Sequence, residues 1–249
     1  MKILQINFLA ILMIFTLACS KSEDKADFMS SNLTDAKIKL YKNKINEDPS
    51  NFNNYDNLAQ NYLQKARETG DTGYYEKAEN TVKKSLEIKP DNYVGVLLFA
   101  KTKMANHRFS QALSYAKKAV DLMPERSVAY GILGDAYLEL GQLSNAEKSY
   151  KKMVDLQPGL DSYSRISNLM HHRHNHEQAI KYMELAYEYG MKSPSTPKEN
   201  IAWTQVMIGE VHLESGNLNE AETCFKRALD IFEGYYLAQE HLEKVKYSR

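Results

Sequence analysis

A histidine cluster is the feature of this sequence whose residue types and spacing best suit chemistry. His171, His172, His174 and His176, four of the seven histidines, lie in the stretch NLMHHRHNHEQA at 168–179. Imidazole is the commonest metal ligand in proteins, and His172 and His176 have the i, i+4 spacing with which one helix presents two ligands to zinc. The cluster is therefore either a metal site or a solvent-exposed turn, and the surrounding elements decide which.

The composition predicts helices and argues against several classes of function. The 249 residues carry 32 Lys and Arg against 32 Asp and Glu, and a formal net charge of zero gives no electrostatic footprint for nucleic acid. Gly and Pro number only 11 and 6, which favours helices joined by short turns. The two cysteines, Cys19 and Cys224, cannot form a disulfide framework. Without a phosphate-binding loop or a G-x-S-x-G motif, we expect neither an enzyme nor a cofactor.

The N-terminus has the pattern of an export signal. Lys2 precedes the apolar run from Phe8 to Leu17, which is interrupted only by Thr16. Such a run is too short for a bilayer, which needs about 20 residues, but it suits the apolar region of a signal peptide. The letters TLAC that end at Cys19 resemble the lipobox of bacterial lipoproteins. In that family the cysteine thiol is diacylglycerylated and the signal is removed, so the resemblance implies lipidation of Cys19.

This resemblance implies a signal peptide over 1–18, a lipidated flexible tether over 19–33, and attachment to the bacterial cell envelope through lipid. In lipoproteins an Asp after the cysteine tends to retain the protein at the inner membrane. This chain has Ser20 there, which favours the outer membrane. Two alternatives remain open: ordinary cleavage after Ala18 with a free cysteine, and an uncleaved anchor.

The rest of the chain repeats with a period of 34 residues. Pro90, Pro124 and Pro158 recur at that spacing and close the similar phrases SLEIKP, AVDLMP and MVDLQP. The clearest copy, 127–159, resembles the tetratricopeptide repeat. Its small, large apolar and turn residues fall at the signature positions of that family: Tyr130, Leu133, Gly134, Tyr137, Gly141, Ala146, Tyr150 and Pro158.

The resemblance implies an all-α superhelix, or α-solenoid, of about five helix-turn-helix repeats with a C-terminal capping helix, in one domain over 34–249. Small residues allow close helix contact, and neighbouring repeats must stack because no repeat buries its faces alone. We expect repeat one to have a turn lengthened by RETGDTG, and a loop at 190–200 to precede repeat five. The repeats are predicted near 52–92, 93–126, 127–159, 160–193 and 202–235.

The repeat register places the histidine cluster in the turn of repeat four. His171 and His172 end its first helix, His174 takes the position that glycine occupies in other repeats, and His176 starts the second helix. The turn separates His172 from His176, and the sequence offers no HExxH motif or cysteine partner. We therefore predict a solvent-exposed turn. Metal or ligand binding by the His171–His176 cluster is kept as an alternative function.

Tetratricopeptide proteins bind peptides or partner helices in a concave groove lined by their first helices, so this resemblance implies a protein or peptide partner. Together with the lipoprotein resemblance, it implies a membrane-tethered scaffold or adaptor. The groove lacks the Lys, Arg and Asn clamp for a C-terminal carboxylate, and its mixed apolar and acidic character favours a segment with apolar anchors and some basic residues. Trp203 is a candidate hot spot by residue type, with packing against the 190–200 loop as the alternative. The predicted groove residues are Asn53, Asp56, Gln60, Leu97, Lys101, Met104, Asp135, Leu138, Asn168, His171, Trp203 and Glu210.

Overall fold

The computed structural model of the protein describes residues 23–248, with side chains from residue 33 onward. Over this range the chain forms twelve α-helices and no strand, so the predicted all-α solenoid of helix-turn-helix repeats is confirmed. No helix in the described range combines the length and the apolar character needed to cross a membrane. The predicted signal peptide at 1–18 and Cys19 lie outside the described residues.

The chain divides into two compact units, the first ending at Pro90 and the second beginning at Asp91. In the first unit, α2 (Phe52–Thr69) packs against both α1 (Glu23–Glu47) and α3 (Gly73–Ile88). Helix α1 begins inside the range 19–33 for which we predicted a flexible tether, so residues 23–33 are corrected to helix.

Repeat one also differs from the prediction at its turn. Helix α2 has 18 residues, whereas the first helices of the next three repeats have 13 each. It ends at Thr69 and is capped by Gly70, which takes a left-handed φ of 69°, and only residues 70–72 separate it from α3. The extra residues therefore lengthen the helix and not the turn, because each residue added to an existing helix gains a backbone hydrogen bond.

The second unit stacks four helix pairs and a capping helix, each packed against the next along the chain. The loop before repeat five spans only 193–197, shorter than the predicted 190–200, because Gly190 is buried within a helix. Its helices are α4 (Tyr93–Ala105), α5 (Phe109–Leu122), α6 (Ser127–Glu139), α7 (Leu143–Leu156), α8 (Leu160–His172), α9 (His176–Lys192), α10 (Lys198–Glu214), α11 (Leu218–Ile231) and α12 (Tyr236–Tyr247).

The turns inside the repeats of the second unit share one backbone geometry. A residue with φ between 55° and 76° follows each first helix: His107, Gly141, His174 and Gly216. In repeat three the amide of Gly141 donates to the carbonyl of Leu138 at 2.9 Å. In repeat four His174 donates to the carbonyl of His171 at 2.8 Å. His174 therefore occupies the glycine position, as predicted. Its Cβ makes the left-handed backbone sterically less favourable than it is for glycine.

In repeats three and five, a glycine of the first helix faces a large aromatic residue of the second. A Cβ added to Gly134 would collide with the ring of Tyr150, and one added to Gly209 would lie 2.5 Å from the ring of Phe225. Both rings are almost fully buried. These contacts confirm that Gly134 marks a close approach of helices. Cys224 is also buried, and burial raises the pKa of its thiol, as expected for a cysteine that packs as an apolar residue.

Replacing Gly134 tests this close approach. We expect Gly134→Leu to lower the free energy of unfolding by about 1–3 kcal/mol, because the added side chain overpacks the contact with Tyr150. The urea midpoint of the purified protein measures the change. Gly159→Leu is the matched control, since a Cβ there meets no atom within 4 Å. Equal midpoints for the two variants would contradict the predicted contact.

Replacing His174 tests the left-handed turn. We expect His174→Gly to raise the free energy of unfolding by about 0.5–1 kcal/mol, since glycine relieves the strain at φ 57° but loses more backbone entropy on folding. The reciprocal change Gly141→His, at φ 70°, should lower it by a similar amount. Urea unfolding measures both, and a less stable His174→Gly protein would show that the imidazole makes a contact worth more than the strain.

Candidate binding cavity on the first helices

A cavity of about 530 Å³ opens in the second unit, and most of its lining comes from α6, α8 and α10, the first helices of repeats three to five. We call it the first-helix cavity. Its volume falls within the range of small-molecule and cofactor sites. Five of the twelve predicted groove residues line it together: Asp135, Asn168, His171, Trp203 and Glu210.

Four other predicted groove residues of the second unit do not line the cavity. Leu97 and Met104 are half-buried against the core around Ala100 and Ile132. Leu138 packs in the same way against the core that contains Tyr150. Lys101 is exposed on α4. Two of the three apolar side chains therefore support the packing of α4, and the third supports that of α6.

The three predicted groove residues of the first unit lie on α2. Asn53 and Gln60 are exposed. Asp56 is only 3% exposed and accepts a hydrogen bond of 2.7 Å from the Ser85 hydroxyl of α3. The prediction of Asp56 as a groove residue is therefore corrected, because its carboxylate holds α2 to α3 and is not presented to a partner.

One wall of the cavity is a hydrogen-bonded network around Arg165 of α8. Its Nε donates to Asp135 Oδ1 of α6 at 3.0 Å, and its Nη1 donates to a carboxylate oxygen of Asp161. The Tyr150 hydroxyl of α7 donates to the same Asp135 oxygen at 2.9 Å. The network ties three successive helices together at the cavity.

Electrostatics reinforce this network. Burial acts to lower the pKa of Arg165, but the charges of Asp135 and Asp161 outweigh it and the pKa is raised. Burial, and then the charge of Asp135, raise the pKa of Tyr150. The guanidinium therefore keeps its proton, and the phenol stays a donor.

The sequence prediction missed Arg165 because the groove pattern assigns neighbouring positions of α8 and not this one. A signal was present. Arg165 lies nine residues before the left-handed turn residue, and the same position in the other repeats of the second unit is apolar: Leu98, Ile132 and Met207. A charged residue at an otherwise apolar repeat position needs a partner of opposite charge, and Asp135 is that partner.

The opposite wall is apolar and aromatic. Trp203 of α10 is half-buried, packs against the core of repeats four and five, and lines the cavity beside Met183 and Met207. Its contacts therefore include both the core and the cavity. Trp203 gives the cavity a rigid aromatic surface, the kind of residue that is enriched at interaction hot spots.

Glu210, farther along α10, is joined to the capping helix. The ring of His241 on α12 places Nε2 at 2.6 Å from Glu210 Oε1 and Nδ1 at 2.8 Å from the carbonyl of Leu237. A carbonyl oxygen only accepts, so Nδ1 carries a proton and donates it to Leu237. The contact of Nε2 with the Glu210 carboxyl group is a hydrogen bond in which one of the two groups carries a further proton. This bond fastens α12 to α10.

The histidine cluster lies at the edge of this cavity and makes contacts to the next repeat. The rings of His171 and His176 have centroids 5.9 Å apart. His171 Nε2 lies 3.5 Å from Glu214 Oε2, and His176 Nδ1 lies 2.9 Å from the Ser215 hydroxyl. These contacts connect the turn of repeat four to the end of α10.

The same turn also contacts the preceding repeat, because Arg173 donates to Glu147 of α7 at 2.5 Å. His172 and His174 are exposed. In the part of the chain that the structure describes, no three His, Cys, Asp or Glu side chains are placed to hold a metal ion. The observed contacts connect the turn to both neighbouring repeats, which is a structural role. No cofactor or metal is assigned to it.

Comparison with known proteins identifies the repeats. Three family profiles described as tetratricopeptide repeat match residues 55–92, 103–170 and 160–234. Together these ranges take in more than half of the chain. No curated protein sequence matches it significantly.

Solved structures share the fold at low sequence identity. A chain of the APC/C hetero-tetramer Cut9-Hcn1 aligns with a TM-score of 0.71 and 16% identity over 85% of this chain and 40% of that one. The thermophilic TPR protein TTC0263 of Thermus thermophilus aligns with a TM-score of 0.62 and 18% identity, over 76% of this chain and 99% of that one. YrrB, described as a TPR protein with an unusual peptide-binding site, aligns with a TM-score of 0.51 and 17% identity over 83% and 99%.

The chain thus spans two fifths of the Cut9-Hcn1 chain and nearly all of the two smaller proteins. At these identities the alignments show the fold alone. Tetratricopeptide repeats form protein-interaction scaffolds, and proteins built from them are in general not enzymes. From the matched profiles and the helix-turn-helix solenoid, we conclude that the chain belongs to the tetratricopeptide-repeat family.

Proposed function

We propose that this protein is an adaptor that binds a protein partner in its first-helix cavity while lipid on Cys19 holds it at a bacterial envelope membrane, the outer membrane in a two-membrane envelope. One observation supports the partner-binding part of this proposal: residues from three repeats line a single cavity in a protein-interaction fold. The proposal assigns no catalytic role to any residue.

The character of the cavity supports binding of a protein segment. It has an apolar wall with Trp203 and a polar wall with Asn168 and the Arg165 network, a combination that anchors a ligand by burial and orients it by hydrogen bonds. The fold of YrrB, a protein described as having an unusual peptide-binding site, is compatible with such a ligand.

The sequence of the N-terminus supports the membrane half. Cys19 follows a short apolar run and a small residue, as in lipoproteins. Each buried methylene of an acyl chain contributes about 0.8 kcal/mol to membrane attachment, so two or three chains hold a protein stably where one does not. A lipidated cysteine therefore localises the repeats at a membrane surface without a spanning helix.

Membrane attachment is tested by Cys19→Ala. We expect the variant to leave the membrane fraction, because it lacks the thiol that would carry the lipid, while the wild-type protein stays there until detergent is added. Cys224→Ala is the matched control, since Cys224 is buried in α11 and should not affect fractionation. A Cys19→Ala protein that remains in the membrane fraction would contradict the lipoprotein proposal.

Partner binding is tested by crosslinking in the cells of origin, followed by purification of the tagged full chain and mass spectrometry. We expect a defined partner that is lost in Asn168→Arg, because Asn168 is exposed and lines the cavity, so a longer side chain obstructs it without disturbing the core. Asn145→Arg makes the same change at an exposed position of α7 outside the cavity lining and should keep the partner. Equal capture by both variants would place the binding surface elsewhere.

A further inference from the structure

The first-helix cavity carries an excess of negative charge. Its lining contains the carboxylates of Asp135, Asp161 and Glu210 and the single guanidinium of Arg165. His241 forms a hydrogen bond to Glu210 from outside the lining. Even if a positive charge on His241 is counted with that of Arg165, one carboxylate charge remains unbalanced. His171, also in the lining, faces a further carboxylate at Glu214. The cavity is therefore electrostatically complementary to a cation.

Two carboxylate oxygens in the lining are open to a ligand. Asp161 uses Oδ1 for Arg165, and Glu210 uses Oε1 for His241. The second oxygens, Asp161 Oδ2 and Glu210 Oε2, accept no hydrogen bond from the described residues. The side chains are 71% and 36% exposed, respectively. A donor that enters the cavity therefore finds charged acceptors that are oriented by their existing bonds but not saturated.

The aromatic wall belongs to the same cavity lining as these two carboxylates. Trp203 and Glu210 are seven residues apart on α10 and so face the same side of the helix. Asp161 and Trp203 occupy the same position in successive repeats, each 13 residues before the left-handed turn residue. A cation over an indole ring is attracted by the negative face of the ring, and Met207 and Met183 offer adaptable apolar surface for an aliphatic stem.

We propose that the first-helix cavity recognises a lysine or arginine side chain on a segment of the partner protein. The aliphatic stem packs on Trp203 and Met207, and the charged head donates to Asp161 Oδ2 or Glu210 Oε2. An acidic ligand is disfavoured for two reasons. Arg165 is already engaged by Asp135 and Asp161, and a carboxylate of the ligand would face the open oxygens of Asp161 and Glu210. This proposal rests on the adaptor function and specifies the chemistry of its ligand.

The test is a selection from random short peptides displayed on phage, panned against the full chain purified in a mild detergent. We expect peptides with Lys or Arg beside apolar residues to be enriched, and this bias to disappear in Asp161→Asn/Glu210→Gln. The single variant Asp161→Asn, at an exposed position, should weaken the bias even if loss of the Glu210 charge loosens α12. Asp155→Asn/Glu184→Gln carries the same isosteric changes at exposed positions outside the cavity lining and should select like wild type.

Titration of one selected peptide then measures the effect. Replacing its basic residue by glutamine should weaken binding on the order of tenfold, the combined size of a partly exposed ion pair and a cation–π contact. Exchange of Lys and Arg distinguishes a point charge from a planar one. Glutamate in its place should weaken binding further, and binding to wild type should fall as salt is added.

Selection of acidic or uncharged peptides, or of none, would overturn the proposal. It would leave the adaptor function standing if crosslinked capture of the partner is still lost in Asn168→Arg and kept in Asn145→Arg. If basic peptides are selected through the cavity but capture does not depend on Asn168, the ligand chemistry is right and the adaptor function at this cavity is wrong. The two experiments therefore fail separately.

Discussion

The contact between a glycine of one helix and an aromatic ring of the next is the constraint on which repeats three and five, at the two ends of the first-helix cavity, depend. At Gly134 and Gly209 the absence of a Cβ leaves room for the rings of Tyr150 and Phe225, which no other residue type would allow without displacement. This sets the distance between the two helices of a repeat. Since interiors are close-packed, that distance is transmitted to the next repeat, and the first helices are thereby aligned to enclose a cavity.

Tyr150 links this packing to the candidate site. Its ring fills the space beside Gly134, and its hydroxyl reaches Asp135, which in turn holds Arg165. One side chain thus sets the approach of α6 and α7 and positions the polar wall of the cavity. The hydrogen bonds are made in a partly buried setting, where an unpaired guanidinium or carboxylate would be costly, so the network stabilises one arrangement of three helices and keeps the cavity in shape.

The turn of repeat four shows how a chemically suggestive sequence can have a structural explanation. Four histidines in six residues suggest ligation, but the repeat geometry divides them between a helix end, a left-handed turn residue and a helix start. His171 and His176 contact α10 on one side, and Arg173 contacts α7 on the other. The polar residues of this turn connect successive repeats, in addition to the apolar contacts between their helices.

The sequence by itself determined the all-α solenoid, the helix pairs and the place of His174 in the turn, because these follow from local rules: periodic apolar residues, prolines after second helices and a left-handed residue between helices. It also identified five residues that share the cavity. Only the tertiary structure decided that Asp56 is buried against Ser85, that Arg165 bridges Asp135 and Asp161, and that His241 pairs with Glu210. These outcomes depend on which side chains meet across helices distant in sequence, and a repeat pattern specifies the positions of side chains but not their partners.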